Sequence, residues 1–228
     1  MNVTWLGQAG FLLEKNGKKI LIDPYLSDSC GKANSDSRRR TALDVSFLSV
    51  KPDVIILTHD HADHTDIETL EHYLPGAGNV LVLAGVNAWN KVRALGGSNN
   101  YVRFCPGSRW TWEEFTFTAV RAAHSDPQAI GVVVDDSCRK YYFTGDTLYH
   151  EDIFPALPAD LWAVFLPING RGNNMNAADA TAFARRTGAR YSVPVHYGMF
   201  DEIDPAVFSA ENRIFLKPYQ RIRWEEEK

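Results

Sequence analysis

Disulfides, a membrane span and a nucleic-acid surface all find little material in this sequence. Among 228 residues there are only three cysteines, Cys30, Cys105 and Cys138, odd in number and widely spaced. That usage fits free thiols in a reducing compartment and excludes a disulfide framework. No apolar run approaches the ~20 residues that cross a bilayer. The opening Met1-Asn2-Val3-Thr4-Trp5-Leu6 goes straight into strand-like sequence, without a basic stretch followed by an apolar one. No signal peptide is therefore predicted, and a cytoplasmic location is expected. Positive charge is short as well: 24 Lys and Arg stand against 28 Asp and Glu, a formal charge of −4. A nucleic-acid surface would need a basic field, so the expected partner is a small molecule, with neither nucleic acid nor membrane. Repeats, low-complexity tracts and linkers are missing, which predicts one domain over residues 1–228. A protein nucleophile is missing too, since there is no G-x-S-x-G turn and no cysteine beside a histidine cluster. No pattern speaks to oligomeric state.

What the chain does have is Thr58-His59-Asp60-His61-Ala62-Asp63-His64, three imidazoles and two carboxylates within seven residues. The cluster follows Val54-Ile55-Ile56-Leu57, a short β-branched run that reads as a buried strand. Thr65-Asp66-Ile67-Glu68 then has the form of a capping box and predicts a helix start. The histidines thus sit on a strand-to-helix loop. Imidazole and carboxylate suit Zn²⁺ and Mn²⁺, and a tight loop can aim several of them at one point.

Elsewhere the first half reads mainly as strands, at 3–6, 11–13, 19–23, 80–83, 101–104, 110–112 and 115–123. Asn16-Gly17 is a hairpin signal, residues 24–41 form a long polar loop, 43–50 a short helix and 86–95 a longer one closed by Gly96-Gly97. Strands at 130–134 and 141–143 flank Asp135-Asp136-Ser137 as a hairpin. A strand at 161–167, an alanine-rich helix at 176–187 capped by Asn176 and Gly188, and a strand at 191–195 follow, with an edge strand in 213–224. Two sheets between helices accommodate this pattern, although periodicity alone does not single that arrangement out.

Four more strands run directly into metal-capable side chains, namely Asp23, His124, Asp146 and His196. Each alone has a dull reading as a polar residue at a strand end. Together, with strand ends meeting at one sheet edge, they converge on the first cluster. His72 and His150 have no such placement and read as structural or exposed.

The order Thr58-His59-Asp60-His61-Ala62-Asp63-His64, His124, Asp146, His196 resembles the metallo-β-lactamase superfamily. Thr4-Trp5-Leu6-Gly7-Gln8-Ala9-Gly10-Phe11, Leu21-Ile22-Asp23-Pro24 and Val195-His196-Tyr197-Gly198 resemble its L-ascorbate-6-phosphate lactonase-like branch of hydrolases. The resemblance implies an α+β fold, a four-layer αββα sandwich with two divalent ions at one edge, Zn or Mn in preference to Fe. It implies that His59, His61 and His124 hold one ion and Asp63, His64 and His196 the other. Asp146 would bridge them, and Asp23 would orient a ligand histidine through its other ring nitrogen. Asp63 and Asp146 would be the catalytic carboxylates, orienting a metal-bound hydroxide.

For the substrate, the loop Asn169-Gly170-Arg171-Gly172-Asn173-Asn174-Met175-Asn176 leaves a buried strand and ends at a helix N-terminus. Arg171, Asn169 and Asn176 are the candidate substrate contacts, with Arg171 able to clasp a carboxylate or phosphate and equally able to face water. Lys32 and Arg38, Arg39 and Arg40 form either a phosphate-binding flap or a solvated basic face. The expected activity is hydrolysis of a small, anionic ester, lactone or phosphodiester. The alternative is a mononuclear iron oxidoreductase, resembling the persulfide dioxygenases of the same fold.

Overall fold

The computed structural model describes residues 1–76 and 78–224. The chain opens as a meander of β1 (Asn2–Gly7), β2 (Gly10–Lys15) and β3 (Lys18–Ile22), each antiparallel to the last. Asn16 and Gly17 turn β2 into β3 with φ of 51° and 78°, the positive pair a two-residue hairpin requires. The long loop that follows contains a short helix, α1 (Ser29–Ala33), and a 3₁₀ turn, Ser35–Ser37, where no element was expected. Three strands then add in parallel: β4 (Val54–Leu57), β5 (Gly78–Ala84) and β6 (Ser98–Arg103). Their crossovers carry α2 (Ile67–Leu70) and α3 (Val86–Val92).

The second sheet begins as another antiparallel run, β7 (Arg109–Trp112), β8 (Phe115–Arg121), β9 (Ile130–Asp135) and β10 (Lys140–Phe143). It ends with the parallel strands β11 (Leu161–Pro167) and β12 (Tyr191–Val195), joined across α4 (Ala177–Thr187). The tail supplies β13 (Arg221–Arg223) as an edge strand antiparallel to β1, shorter than the sequence suggests. The two sheets have the orders β13-β1-β2-β3-β4-β5-β6 and β12-β11-β10-β9-β8-β7.

Strand alternation makes the layers. Phe11 points between the sheets and meets Phe143 and Phe165 edge-on, with ring centroids 4.8 and 5.0 Å apart. Its neighbour Leu12 points outward into a second core with Leu21, Ile55 and Val82, which α2, the turn after it and α3 cover through Leu70, Leu74, Ala88 and Val92. On the far side α4 lays Phe183 over Tyr142. The result is the expected αββα sandwich, with β4 apolar along its whole length because both its faces are covered. Among the described residues no helix is long and apolar enough to cross a membrane.

Two local expectations fail. Residues 43–50 form only a single 3₁₀ turn, Val45–Ser49, started by the Asp44 side chain accepting from the Ser46 N–H. The capping box is not made either. Thr65 Oγ1 donates to the carbonyl of His59 at 2.6 Å, holding the histidine loop closed, and Asp66 takes the N-cap position of the one-turn α2 without a side-chain cap bond. The Thr65 hydroxyl donates back to the histidine loop instead of accepting from the Glu68 N–H as a capping box would have it.

Candidate metal centre

β3, β4, β8, β10 and β12 all end at the same edge of the sandwich, and each releases a candidate ligand or its partner there. The sheets approach closely at this point. The N–H of Ile130 donates to the carbonyl of Thr58 at 3.1 Å. Gly145 has φ of 59°, and a Cβ on it would lie 2.9 Å from Thr58 Cβ. A side chain there would force the sheets apart just before Asp146.

The seven candidate ligands gather in two groups: His59, His61, His124 and Asp146, then Asp63, His64 and His196. Within each group the ligand atoms lie within 4.8 Å of one another. Asp146 also reaches the second group, its Oδ1 standing 3.2 Å from the Nε2 atoms of both His64 and His196. His196 Nε2 is 3.3 Å from Asp63 Oδ2. His59 Nε2, His64 Nε2 and Asp146 Oδ1 are buried yet have no hydrogen-bond partner. Buried polar atoms are normally satisfied, so lone-pair donors orphaned together fit a shared cation. Asp60, inside the same motif, turns away and pairs with Lys91 at 3.5 Å.

Around these side chains lies a ring of neutral and anionic partners. Asp23 is fully buried with φ of 40° and accepts from the Thr58 N–H at 2.8 Å, the Thr58 hydroxyl at 2.5 Å and His64 Nδ1 at 2.8 Å. Gln8 Nε2 donates to Asp63 Oδ2 at 3.0 Å, while the Gln8 carbonyl accepts the N–H of His196, whose φ is 59°. Asn174 donates to Asp146 Oδ2 at 2.8 Å. Asn169 sets its amide 3.1 Å from His196 Nδ1. His124 receives the Asp126 N–H on Nδ1 at 3.1 Å and places Nε2 3.0 Å from the Gly172 carbonyl, so a cation on Nε2 would take the place of that contact.

Charge divides the cluster. Burial, reinforced by the neighbouring imidazole His64, pushes His59 far below the usual histidine range, and burial lowers His124 too. These two are free bases. Burial works the same way on His64 and His196, but Asp146 and Asp63 overcome it, raising His64 strongly and His196 to about 10. Burial would raise Asp146 and Asp63, yet the two histidines hold both below the ordinary carboxylate range. Asp23 is raised by burial, against the pull of His64. The carboxylates facing His64 and His196 thus favour positive charge at that point.

A cleft of about 310 Å³ opens over the cluster, lined by His61, Asp63, Asp146 and His196 and, farther out, by Arg171, Phe200 and Asp201. The 24–41 loop closes one side, but with Cys30, Asp36 and Ser37 instead of its arginines. Arg39 is spent on the carbonyls of Tyr25 and Ser27 and the hydroxyl of Tyr219, Arg40 pairs with Glu202, and Lys32 pairs with Glu68 at 2.5 Å. The basic run is thus a brace for the loop, and the flap reading is withdrawn. Asn176 is withdrawn as a substrate contact as well. It does not line the cleft, and its Oδ1 accepts from the N–H groups of Ala178 and Asp179, both at 2.9 Å, as the cap of α4. Asn169 does line the cleft, with its amide turned to His196. Arg171 is the one lysine or arginine lining the cleft among the described residues. Burial, then the Asp63 charge, pushes the Cys30 thiol up to about 11, so it stays protonated and offers no nucleophile. His72 is exposed, and His150 caps the turn Glu151–Ala156.

Gln8, Thr58 and Asn174 carry roles that the sequence did not disclose. Asn, Gln and Thr are ordinary in loops, and only the fold brings them to a ligand. Position gave a signal only for Thr58, which directly follows β4 and precedes His59.

Comparison with known proteins agrees with this geometry. A family model described as "Beta-lactamase superfamily domain" matches residues 18–197. A UPF0173 metal-dependent hydrolase of Geobacillus thermodenitrificans (strain NG80-2) is 30% identical, over 91% of this chain and 91% of its own. Two solved structures share the fold. Igni18, a metallo hydrolase from the hyperthermophilic archaeon Ignicoccus hospitalis KIN4/I, superposes with a TM-score of 0.78 at 19% identity over 99% of both chains. An isothiocyanate hydrolase from Delia radicum gut bacteria gives 0.77 at 20% identity, over 98% of this chain and 99% of that one.

Proposed function

The chain belongs to the β-lactamase superfamily and, within it, to the UPF0173 metal-dependent hydrolases, and from that premise we propose that it hydrolyses a small ester, lactone or phosphodiester carrying one acidic group, at a two-ion centre. The observation that carries the reading is the set of buried atoms with no aligned hydrogen bond, His59 Nε2, His64 Nε2 and Asp146 Oδ1, gathered at the sheet edge. His59, His61 and His124 would hold one ion, Asp63, His64 and His196 the other, with Asp146 shared. Two divalent cations, Zn²⁺ or Mn²⁺ for this donor set and Fe²⁺ less so, would supply hydroxide from water near neutral pH and polarise the substrate oxygen.

The protein's own contribution is placement. Asp63, with Oδ2 already fixed by the Gln8 amide, orients the attacking water and accepts its proton. Asp146 is fixed from behind by Asn174, so its free oxygen faces the cluster without rearrangement. Arg171 meets the acidic group of the substrate across the cleft. Asp36 and Asp201, which also line the cleft, disfavour a polyanion. The volume, about 310 Å³, sits at the small end of ligand pockets, roughly 300–1,000 Å³. That the matching relative is a hydrolase favours hydrolysis over the iron oxidoreductase.

The test is metal content per chain on protein purified without added metal, followed by hydrolysis of lactone and phosphodiester probes as each metal is restored. The expected result is two Zn or Mn per chain and turnover that needs them, lost in His61→Ala and Asp146→Ala while circular dichroism stays native. A single iron with oxygen uptake and no hydrolysis would sink the proposal.

A further inference from the structure

One loop touches three of the candidate ligands. Between β11 and α4, Asn169 meets His196, Gly172 meets His124 and Asn174 meets Asp146. Two of these contacts are side-chain amides, and the chemistry of each amide can be derived from its other neighbours.

Asn174 is buried, and its Oδ1 accepts from the Thr147 N–H at 3.1 Å. A backbone N–H can only donate, so the oxygen must face Thr147 and the NH₂ must face Asp146. That NH₂ holds Oδ2 and leaves Oδ1 directed at both groups of imidazoles. The loop itself is pinned to the strand end, with the Met175 N–H donating to the Thr147 carbonyl at 3.0 Å and the Asn174 N–H to the Arg171 carbonyl at 3.2 Å.

Asn169 works in the opposite sense. His196 directs Nε2 at Asp146 and Asp63, so a metal there needs the ring proton on Nδ1, where the Asn169 amide stands. Asn169 Oδ1 is otherwise buried without a partner. The structure sets Nδ2 of Asn169 against Nδ1; with the amide turned over, Oδ1 accepts from Nδ1–H and His196 is fixed in the tautomer that offers Nε2 as a ligand, while the NH₂ takes the oxygen's former place.

We propose that Asn169 and Asn174 are positioning residues for the metal centre, Asn169 as an acceptor that sets the His196 tautomer and Asn174 as a donor that sets which Asp146 oxygen bridges. The proposal rests on the two-ion reading and goes beyond it, because it assigns opposite hydrogen-bond roles to two residues of the same type on one loop.

The same substitution therefore separates them. Asn169→Asp keeps an acceptor for Nδ1–H, as Asp23 does for His64, and retains metal affinity. Asn174→Asp keeps the acceptor for Thr147 but sets a carboxylate against Asp146. It weakens metal binding roughly ten- to hundred-fold, the range for loss of a ligand's hydrogen-bond partner. Asn169→Leu, which has no acceptor, weakens it by a similar factor. The readout is Zn²⁺ affinity by chelator competition, with unfolding of the metal-stripped proteins as the control. Wild-type affinity in Asn174→Asp and in Asn169→Leu would overturn the roles while leaving the two-ion reading standing. Wild-type protein that takes up fewer than two ions would overturn the reading and these roles with it. Should Asn169→Leu fail to fold, Asn169→Ala gives the same comparison, since it too has no acceptor.

Discussion

Replacing Asp23 with asparagine tests how much of the centre depends on a group that touches no metal. Asp23 is fully buried and accepts from three donors, the Thr58 N–H, the Thr58 hydroxyl and His64 Nδ1–H. The asparagine side chain would be nearly isosteric, and asparagine tolerates the φ of 40° found there, so the backbone is not the variable. Its oxygen can keep the Thr58 N–H. Its NH₂ then faces the Thr58 hydroxyl and His64 Nδ1, where an acceptor stood. Thr58 Oγ1 has a second partner in reach, His59 Nδ1 at 3.1 Å, and can rotate to relieve its share. His64 can respond only by making Nδ1 the acceptor, which moves its proton to Nε2, the atom that faces Asp146 at 3.2 Å. A protonated Nε2 cannot ligate. The expected loss is roughly ten- to hundred-fold in metal affinity, or about 1.4–2.7 kcal/mol. Folding stability of the metal-free protein should fall by no more than about 1–2 kcal/mol, since a buried carboxylate that resists ionisation is removed along with one good acceptor. Chelator competition for Zn²⁺ and urea unfolding after metal stripping measure the two numbers separately. Wild-type affinity in Asp23→Asn would refute the claim that Asp23 sets the ring of His64.

Arg171→Ala should raise KM for anionic substrates about ten-fold or more and leave neutral analogues nearly unchanged. Equal effects on both in steady-state kinetics would return Arg171 to a solvent-facing role. Arg39→Ala should destabilise by about 2–3 kcal/mol, because it binds two carbonyls and a tyrosine hydroxyl from inside the loop. Arg40→Ala should cost under ~1 kcal/mol, its partner Glu202 being exposed. Urea midpoints that reverse this order would contradict the brace. Alkaline unfolding should also be steep. Burial pushes Tyr197 up to about 12 and raises Tyr25, Tyr73, Tyr141 and Tyr142 as well. Above pH ~10 the unfolded chain loses these phenolic protons while the native one keeps them, so stability falls as pH rises, by up to about 1.4 kcal/mol per unit for each tyrosine. For Tyr197 that window closes near 12. Stability flat across the window, followed by tyrosinate absorbance and denaturant midpoint, would show the phenols to be more accessible than the fold makes them.

The parts legible in the sequence were those in which one chain segment carries the whole signal. Val54–Leu57 and Leu161–Pro167 are continuous apolar runs because both faces of each strand are covered, and Asn16-Gly17 names its own turn. The candidate ligand positions were picked for the same reason, each standing a few residues beyond such a run. Residues whose partners come from elsewhere were not. Thr65 has a capping sequence and bonds to His59 instead. Arg38-Arg39-Arg40 has a flap's composition, yet Tyr25, Tyr219 and Glu202 absorb two of its three charges. Asn174 and Gln8 are indistinguishable from solvated loop residues until β10 and β12 are laid beside them. Local chemistry specifies elements, and long-range pairing decides which side chains remain free for work.

The candidate ligands do not belong to one sheet. His59, His61, Asp63 and His64 hang from β4, whereas His124, Asp146 and His196 hang from β8, β10 and β12 across the interface. A cation bound among them is a staple joining the two halves of the sandwich, and the halves cannot slide or part at that edge until it leaves. Occupancy thereby enters the lifetime of the fold, with a stabilisation that grows as RT ln(1 + [M]/Kd), about 4 kcal/mol at a thousandfold excess over Kd. Chelation would act on this protein as a denaturant at a distance, shortening its persistence under heat or protease well before any substrate is offered.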